Sequence, residues 1–161
     1  MRAILAGCGL MLLAFTASAS AQAPEATPAP APTVAEIPRA EAVQLGRLFM
    51  ATERTYAQDG VTLQLAGGIA GALVNAQSDA FEATISIPGE YTVIGVCDLD
   101  CSNLDIRVLD EHGGLIAEDT APDDFPIVEL MLSGEATVRV QVTMLACAQE
   151  PCYFGANLYR R

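Results

Sequence analysis

Beyond Asp79, apolar residues recur at every second position of the chain. Phe81, Ala83, Ile85 and Ile87 alternate with polar residues, the pattern of a strand that buries one face. The same alternation, or a short run that is apolar on both faces, recurs in six further segments: 91–97, 104–110, 115–119, 125–132, 136–144 and 153–159. Turn-forming residues separate the segments at short intervals. We therefore predict an all-β, antiparallel β-sandwich of about seven strands over residues 79–161.

A helical period precedes the strands. Residues that can face a core recur there at helical spacing, at Leu45, Leu48, Phe49, Thr52 and Tyr56. This stripe predicts one N-terminal α-helix over residues 38–58. Gly46 inside it costs roughly 1 kcal/mol relative to alanine. The helix is therefore expected to depend on docking, either on the sandwich or on another protein.

Residues 59–78 join the helix to the strands and are apolar and rich in small side chains. The apolar segment within them is too short to span a bilayer as a helix. Gly67, Gly68 and Gly71 also disfavour a helix. We predict an apolar, Gly-rich connector that is either buried or forms an irregular first strand.

The N-terminal residues 1–21 are predicted to be a signal peptide. Arg2 precedes an apolar run that extends to Phe15, and Ala19-Ser20-Ala21 supplies a small-residue cleavage site. An uncleaved anchor is the alternative, because the apolar run is near the lower limit for spanning a bilayer. Residues 22–37 alternate proline with small residues, which predicts an extended linker that cannot bury a core.

Net charge limits the partners of the exported chain. The whole chain carries −12, and removal of the signal peptide takes away Arg2 and no acid, leaving seven Arg against 20 acidic residues, or −13. A surface of this sign repels nucleic acid and anionic lipid. We expect no nucleic-acid partner and no membrane span in the mature chain.

Four cysteines remain after signal cleavage: Cys97, Cys101, Cys147 and Cys152. An even number in an oxidising compartment predicts two disulfides. Local pairs, 97 with 101 and 147 with 152, would each add about 2 kcal/mol, whereas crossed pairs between the two loops would each add about 4. The short spacings favour the local pairs and leave the crossed ones possible. The same spacings in an exported chain argue against a zinc site.

Three predicted loops, 98–103, 120–124 and 148–151, share one end of the sandwich, because each antiparallel reversal sends successive loops to opposite ends. If Asp110 faces Gly114 across the next turn, the register places Asp105 opposite Asp119 at that same end. The aspartates predicted to converge there are Asp98, Asp100, Asp105, Asp119, Asp123 and Asp124.

Two interpretations of these aspartates stay open. Asp is the usual residue where loops bond their own backbone, which makes turn formation one explanation. A calcium site is the other, since a hard cation takes six to eight oxygen ligands. Asp98-Leu99-Asp100 begins like an EF-hand loop, but Asn103 and Leu109 replace its turn glycine and its bidentate glutamate.

Candidates for catalysis are few. His112 is the single histidine, and its neighbours Gly113 and Gly114 predict a turn at the end opposite the aspartates. The sequence contains no zinc-protease, serine-hydrolase or phosphate-loop motif. We predict no enzyme activity, no catalytic residue, and no cofactor other than calcium.

The strand and turn residues resemble the bacterial pre-peptidase C-terminal (PPC) domain over about residues 78–159. The resemblance rests on Glu90-Tyr91 to Cys97, the strand 104–110, Gly113-Gly114, Ala117-Glu118-Asp119, and Gly134 followed by Val138-Arg139-Val140. It implies a jelly-roll-like β-sandwich. Members of that family are typically appended to secreted peptidases, which implies roles in solubility, secretion or substrate attachment, and some relatives bind calcium. The cysteine pairs, Cys97 with Cys101 and Cys147 with Cys152, resemble those of a distinct subgroup of small exported bacterial proteins.

These observations predict a periplasmic or secreted bacterial protein that works as a non-catalytic binding or accessory module. The alternative is a structural, envelope-associated protein that engages a partner through its N-terminal helix. In either case the expected partner is a protein or a component of the cell envelope, of unknown identity.

Overall fold

A computed structural model describes residues 36–161 of the protein. The predicted signal peptide and residues 22–35 of the predicted linker lie outside this range. The described part contains one helix and eight strands: α1 (Arg39–Gln58), β1 (Gln64–Leu73), β2 (Ser78–Ile85), β3 (Gly89–Cys97), β4 (Cys101–Asp110), β5 (Leu115–Asp119), β6 (Ile127–Leu132), β7 (Ala136–Cys147) and β8 (Cys152–Arg160).

The strands form two four-stranded antiparallel sheets. Sheet A has the order β1-β8-β3-β6, and sheet B has the order β2-β7-β4-β5. Successive strands mostly alternate between the sheets, so the connections cross the ends of a sandwich. The predicted all-β sandwich with one N-terminal helix is confirmed.

The core between the sheets follows from the alternation of side chains along each strand. On β4, Leu104, Ile106 and Val108 are fully buried, whereas Arg107 between them is exposed. The same period buries three valines and Met144 on β7. Each such side chain contributes about 1.5–3 kcal/mol of hydrophobic stabilisation. The two-residue period of apolar side chains therefore identifies both the strands and the face of each strand that is buried.

Strand β1 lies inside the segment predicted to be a connector. Nine of its ten residues pair with β8, and Ala66 lies in a register shift between Leu65 and Gly67. The segment is thus the irregular first strand that was one of the two predicted forms, and the sandwich begins before residue 79. A Cβ on Gly67 would lie 3.2 Å from a ring carbon of Phe81, so the glycine admits close packing of β1 against sheet B.

Helix α1 packs on the outer face of sheet A. Leu45 is buried against Ile94 and Val96 of β3, and Phe49 lies directly over Gly155 of β8. A Cβ on that glycine would approach the Phe49 ring to 2.8 Å, so its absence allows the helix this close. The sandwich itself is therefore the docking surface on which the helix depends.

A buried tyrosine joins the helix to the sheet. The hydroxyl of Tyr159 donates a hydrogen bond of 2.8 Å to Glu53 Oε1 and accepts one of 2.9 Å from Asn157 Nδ2. Its side chain is 2% exposed. Burial raises the pKa of the Tyr159 hydroxyl to about 12, because the phenolate would lose its hydration and face the Glu53 carboxylate.

This raised pKa predicts a loss of stability in alkali. The folded state holds the Tyr159 proton more tightly than the unfolded chain, so its contribution is complete below pH 10 and decreases as the pH rises towards 12. We expect the difference in unfolding free energy between the wild type and Tyr159→Phe to shrink over this interval. Urea unfolding of both proteins at several pH values measures it, and a constant difference would contradict the prediction.

Candidate functional site

Four loops meet at one end of the sandwich and carry both disulfides. They are residues 74–77, 98–100, 120–126 and 148–151, between β1 and β2, β3 and β4, β5 and β6, and β7 and β8. We call this end the disulfide pole. The three loops expected to share an end do share it, and the loop after β1 joins them.

The disulfides are the local pairs. Cys97 bonds Cys101, and Cys147 bonds Cys152, with Cα atoms 6.0 and 5.8 Å apart. All four cysteines are buried. Cys101 lies opposite Cys147 in the β4–β7 register, so the two bridges are neighbours. Each bridge closes one loop on itself, as the spacings favoured.

Side-chain amides join three of the loops. Asn75 Nδ2 donates to the carbonyl of Cys147 at 3.0 Å, and its Oδ1 accepts from the amide of Cys147 at 2.7 Å. The carboxylate of Glu150 accepts from the amide of Asn75 at 2.7 Å. Gln149 Nε2 donates to Asp100 Oδ1 at 3.0 Å. The pole is therefore cross-linked by hydrogen bonds as well as by disulfides.

Asp98 anchors the first disulfide loop to β8. Its Oδ2 accepts from the amide of Tyr153 at 2.7 Å, and its own amide donates to the carbonyl of Tyr153. The residue is 6% exposed, and its Oδ1 is buried without a hydrogen-bond partner in residues 36–161. A buried oxygen without a hydrogen-bond partner costs stability. The two bonds with Tyr153 hold Asp98 in this position despite that cost.

Two other predicted aspartates form turns in the loop from β5 to β6. Asp119 accepts from the amides of Ala121 and Ile127, which ties the end of β5 to the start of β6. Asp123 Oδ1 accepts from the amide of Phe125 at 3.0 Å. These bonds are the turn chemistry that was one interpretation of the aspartates. Asp124 follows in the same loop and is exposed.

The predicted alignment of Asp105 with Asp119 is wrong. Asp110 does face Gly114 across the turn, but a register shift between Val108 and Leu109 places Asp119 opposite Ile106. Asp105 pairs with Thr143 of β7 instead. Burial raises the pKa of Asp105, and the Arg107 charge partly opposes that rise.

Five of the six aspartates lie in or beside the loops of the disulfide pole, Asp105 lies within β4, and the six do not form one ligand cluster. In the portion that the structure describes, no group of three or more His, Cys, Asp or Glu side chains is arranged to hold a metal ion. Calcium binding by Asp98, Asp100, Asp105, Asp119, Asp123 and Asp124 stays a prediction. A melt of the protein in EDTA and in millimolar calcium, with magnesium as the control, tests it: a site at a hundred times its dissociation constant adds about 2.7 kcal/mol.

The sequence interpretation missed Leu99. This residue occupies the middle of the five-residue ring closed by Cys97 and Cys101, and its side chain is 91% exposed. Leu145 near the end of β7 and Phe125 in the loop after β5 are also exposed. The signal present in the sequence is an apolar residue at the centre of a short ring between two cysteines.

His112 lies at the other end of the sandwich, as predicted. Its amide donates to Asp110 Oδ1 at 2.8 Å in the β4–β5 turn, and its exposed ring faces Glu111. Bonds from the amides of Gly114 and His112 lower the pKa of the Asp110 carboxyl. The turn accounts for the contacts of this histidine.

Comparisons with known proteins give a distant structural neighbour. No protein-family model and no curated protein matches the chain. One similar solved structure is Aeromonas hydrophila PliG, a periplasmic lysozyme inhibitor of g-type lysozyme, with 10% identity over 60% of this chain and 87% of that one, and a TM-score of 0.42. At that identity and TM-score, the likeness carries no argument about what this chain binds. Among residues 36–161, no helix is long and apolar enough to cross a membrane.

Proposed function

We propose that this chain is an exported, non-catalytic module that binds a protein partner through the disulfide pole. The observation that carries the proposal is Leu99, an almost fully exposed apolar side chain at the centre of a disulfide-closed ring. Exposing such a residue has no benefit for folding. An exposed apolar side chain on a backbone that a disulfide ring restrains is well suited to fill a pocket on a partner, because little backbone entropy is lost on binding.

The charges around Leu99 define the chemistry of that partner. Asp123, Asp124 and Glu150 are exposed on neighbouring loops of the pole, and Asp100 directly follows the leucine. The matching surface is an apolar pocket with a basic rim, since complementary charges speed association and exclude wrong partners. The partner therefore belongs to the basic proteins that an exported chain meets in the periplasm or outside the cell.

Two features support the exported, non-catalytic part of the proposal. Both disulfides are of the kind that form and persist in oxidising compartments. They also occupy the four cysteines of the described range, so none of these thiols is available as a nucleophile. The role matches the accessory function that the PPC-like sequence pattern implies.

We expect Leu99→Asp to weaken partner binding at least tenfold, because a hot-spot side chain is worth about 2 kcal/mol or more. The measurement compares proteins captured from the cell envelope by the wild type and by the variant, followed by titration with the purified partner. Leu115→Asp is the matched control, since Leu115 is exposed at the opposite end of the sandwich. If both variants bound the partner equally well, the proposal that the disulfide pole is the binding surface would be wrong.

The alternative function uses the helix in place of the pole. Leu45 and Phe49 are packed on the sandwich, so the surface that α1 leaves for a partner is the face with exposed Val43 and Met50. The double substitution Val43→Glu and Met50→Glu tests this alternative without removing the helix. If that variant loses the partner and Leu99→Asp keeps it, the helix is the binding element.

A further inference from the structure

Arg160, the last residue of β8, lies at the end of the sandwich opposite the disulfide pole. It pairs with Gln64 of β1 and with Tyr91 of β3, so it stands in the middle of sheet A. The preceding residue, Tyr159, packs under helix α1, and successive side chains of a strand point to opposite faces. Arg160 therefore points to the face of sheet A that is turned towards sheet B.

The guanidinium of Arg160 has no partner of opposite charge within residues 36–161. The adjacent Arg161 forms an ion pair of 2.7 Å with Glu129, but no carboxylate of this range pairs with Arg160. The Nε atom of Arg160 is buried and has no hydrogen-bond acceptor in the same range. A buried donor without an acceptor costs stability, and the cost is larger on a charged group. An external anion would satisfy both the charge and the buried N–H.

A surface depression of about 290 Å³ lies beside this guanidinium. Its size is close to the lower limit of about 300 Å³ for small-molecule sites. Strands β1, β2 and β3 and the turn after β2 contribute apolar side chains and two hydroxyls to its walls: Leu65, Ile85, Ile87, Tyr91, Thr84 and Ser86. Leu65 and Ile87 are exposed. The depression thus places apolar surface directly beside a single cation.

This lining selects an anion that carries a short apolar chain. Two N–H groups on one edge of a guanidinium match the two oxygens of a carboxylate. Leu65 and Ile87 offer surface on which apolar carbons of the same ligand can be buried. Inorganic phosphate has no such carbons, and an uncharged molecule leaves the guanidinium unpaired. The net charge of −12 disfavours anions over most of the surface, so Arg160 is what admits one here.

We propose that Arg160 and this depression bind a small monocarboxylate with a short apolar chain. Nε and one Nη of the guanidinium donate to the two carboxylate oxygens, and the chain lies against Leu65 and Ile87. Free short-chain acids and peptides that end in an apolar residue both offer this chemistry. The inference is independent of the proposed function, because Arg160 and Leu99 lie at opposite ends of the sandwich.

Isothermal titration calorimetry of the purified protein with hexanoate tests the proposal. We expect saturable binding, with hexanol and acetate at least tenfold weaker, because hexanol lacks the charge and acetate lacks the chain. N-acetyl-leucine represents a peptide C-terminus: tighter binding than hexanoate would identify peptides as the source of the carboxylate, and weaker binding would identify free acids. No saturable binding of either carboxylate, or equal binding of hexanoate and hexanol, would overturn the proposal.

Substitutions at two adjacent arginines provide the second measurement. We expect Arg160→Gln to raise the dissociation constant of hexanoate at least tenfold, and Arg160→Lys to raise it less, since lysine keeps the charge without the fork. Arg161→Gln is the matched control, because it removes the same charge from a residue that lies over Tyr56 on the helix side of sheet A. Unchanged binding by Arg160→Gln, or an equal loss in Arg161→Gln, would contradict the proposal.

The melting temperature separates this binding role from a structural one. Arg160→Gln should melt at or above the wild-type temperature, because the Nε it removes is buried without a hydrogen bond in residues 36–161. A fall of several degrees would show that Arg160 stabilises the free protein and would count against a residue kept for a ligand. The comparison of ligands on the wild type does not depend on any variant folding.

Discussion

The unfolding free energy is expected to fall by about 3–5 kcal/mol when Tyr159 is replaced by alanine, as for other large aromatic-to-alanine changes in cores. The ring lies between helix α1 and sheet A, packed with Leu45, Ile94 and Val96. Its removal leaves a cavity at the joint and deletes the hydrogen bond to Glu53. We therefore expect the helix to separate from the sheet before the sandwich unfolds.

Urea unfolding and hydrogen exchange together measure this effect. Tyr91→Ala is the matched control, because Tyr91 is equally buried in sheet A but packs in the core between the sheets, away from the helix, and bonds the carbonyl of Ile87. Both variants should be destabilised, whereas only Tyr159→Ala should lose protection of amides along residues 39–58. Tyr159→Phe, which keeps the ring, should cost only about 1 kcal/mol. Equal protection of the helix in both alanine variants would show that Tyr159 is not the joint.

Replacing all four cysteines by serine is expected to cost about 4 kcal/mol, from about 2 kcal/mol for each of the two short rings in the chain-entropy model. That amount is a large part of the 5–15 kcal/mol by which a domain is stable. We expect the sandwich to remain folded at low temperature with a disordered disulfide pole. Calorimetry of the two paired variants and the quadruple variant measures the loss.

The neighbouring positions of the bridges add a more specific expectation. Cys101 and Cys147 face each other across β4 and β7, so the two bridges stiffen the same end of the sandwich. The loss of unfolding free energy on removing one bridge should therefore depend on whether the other bridge is present, because the effects of neighbouring substitutions on stability are not additive. Strict additivity would indicate that each ring acts only on its own loop in the unfolded chain.

The period of apolar residues was sufficient to predict the sandwich, because a strand with one buried face must alternate. It was insufficient for β1, where Gly67, Gly68 and Gly71 remove the side chains that would show the alternation. For helix α1, the helical spacing of Leu45, Phe49 and Tyr56 was sufficient to predict which face is apolar. Only tertiary structure shows that sheet A covers that face.

The candidate site was predictable in its position and less so in its detail. Counting reversals of the chain placed the cysteines and aspartates at one end. The alignment of Asp105 failed because an irregularity at Val108 and Leu109 adds a residue to the register, and no residue type there signals it. Leu99 was visible in the sequence, but its exposure depends on the ring that the disulfide closes.

The position of β8 in sheet A has a consequence for how the chain matures. Of the eight strands, β8 is the last to leave the ribosome, yet it lies between β1 and β3. Its partners β1 and β3, and the helix that packs on it, are all synthesised earlier and must wait for residues 152–160. A chain delivered N-terminus first to another compartment thus keeps the sandwich open until β8 arrives, and sheet A closes only after residues 152–160 have been delivered.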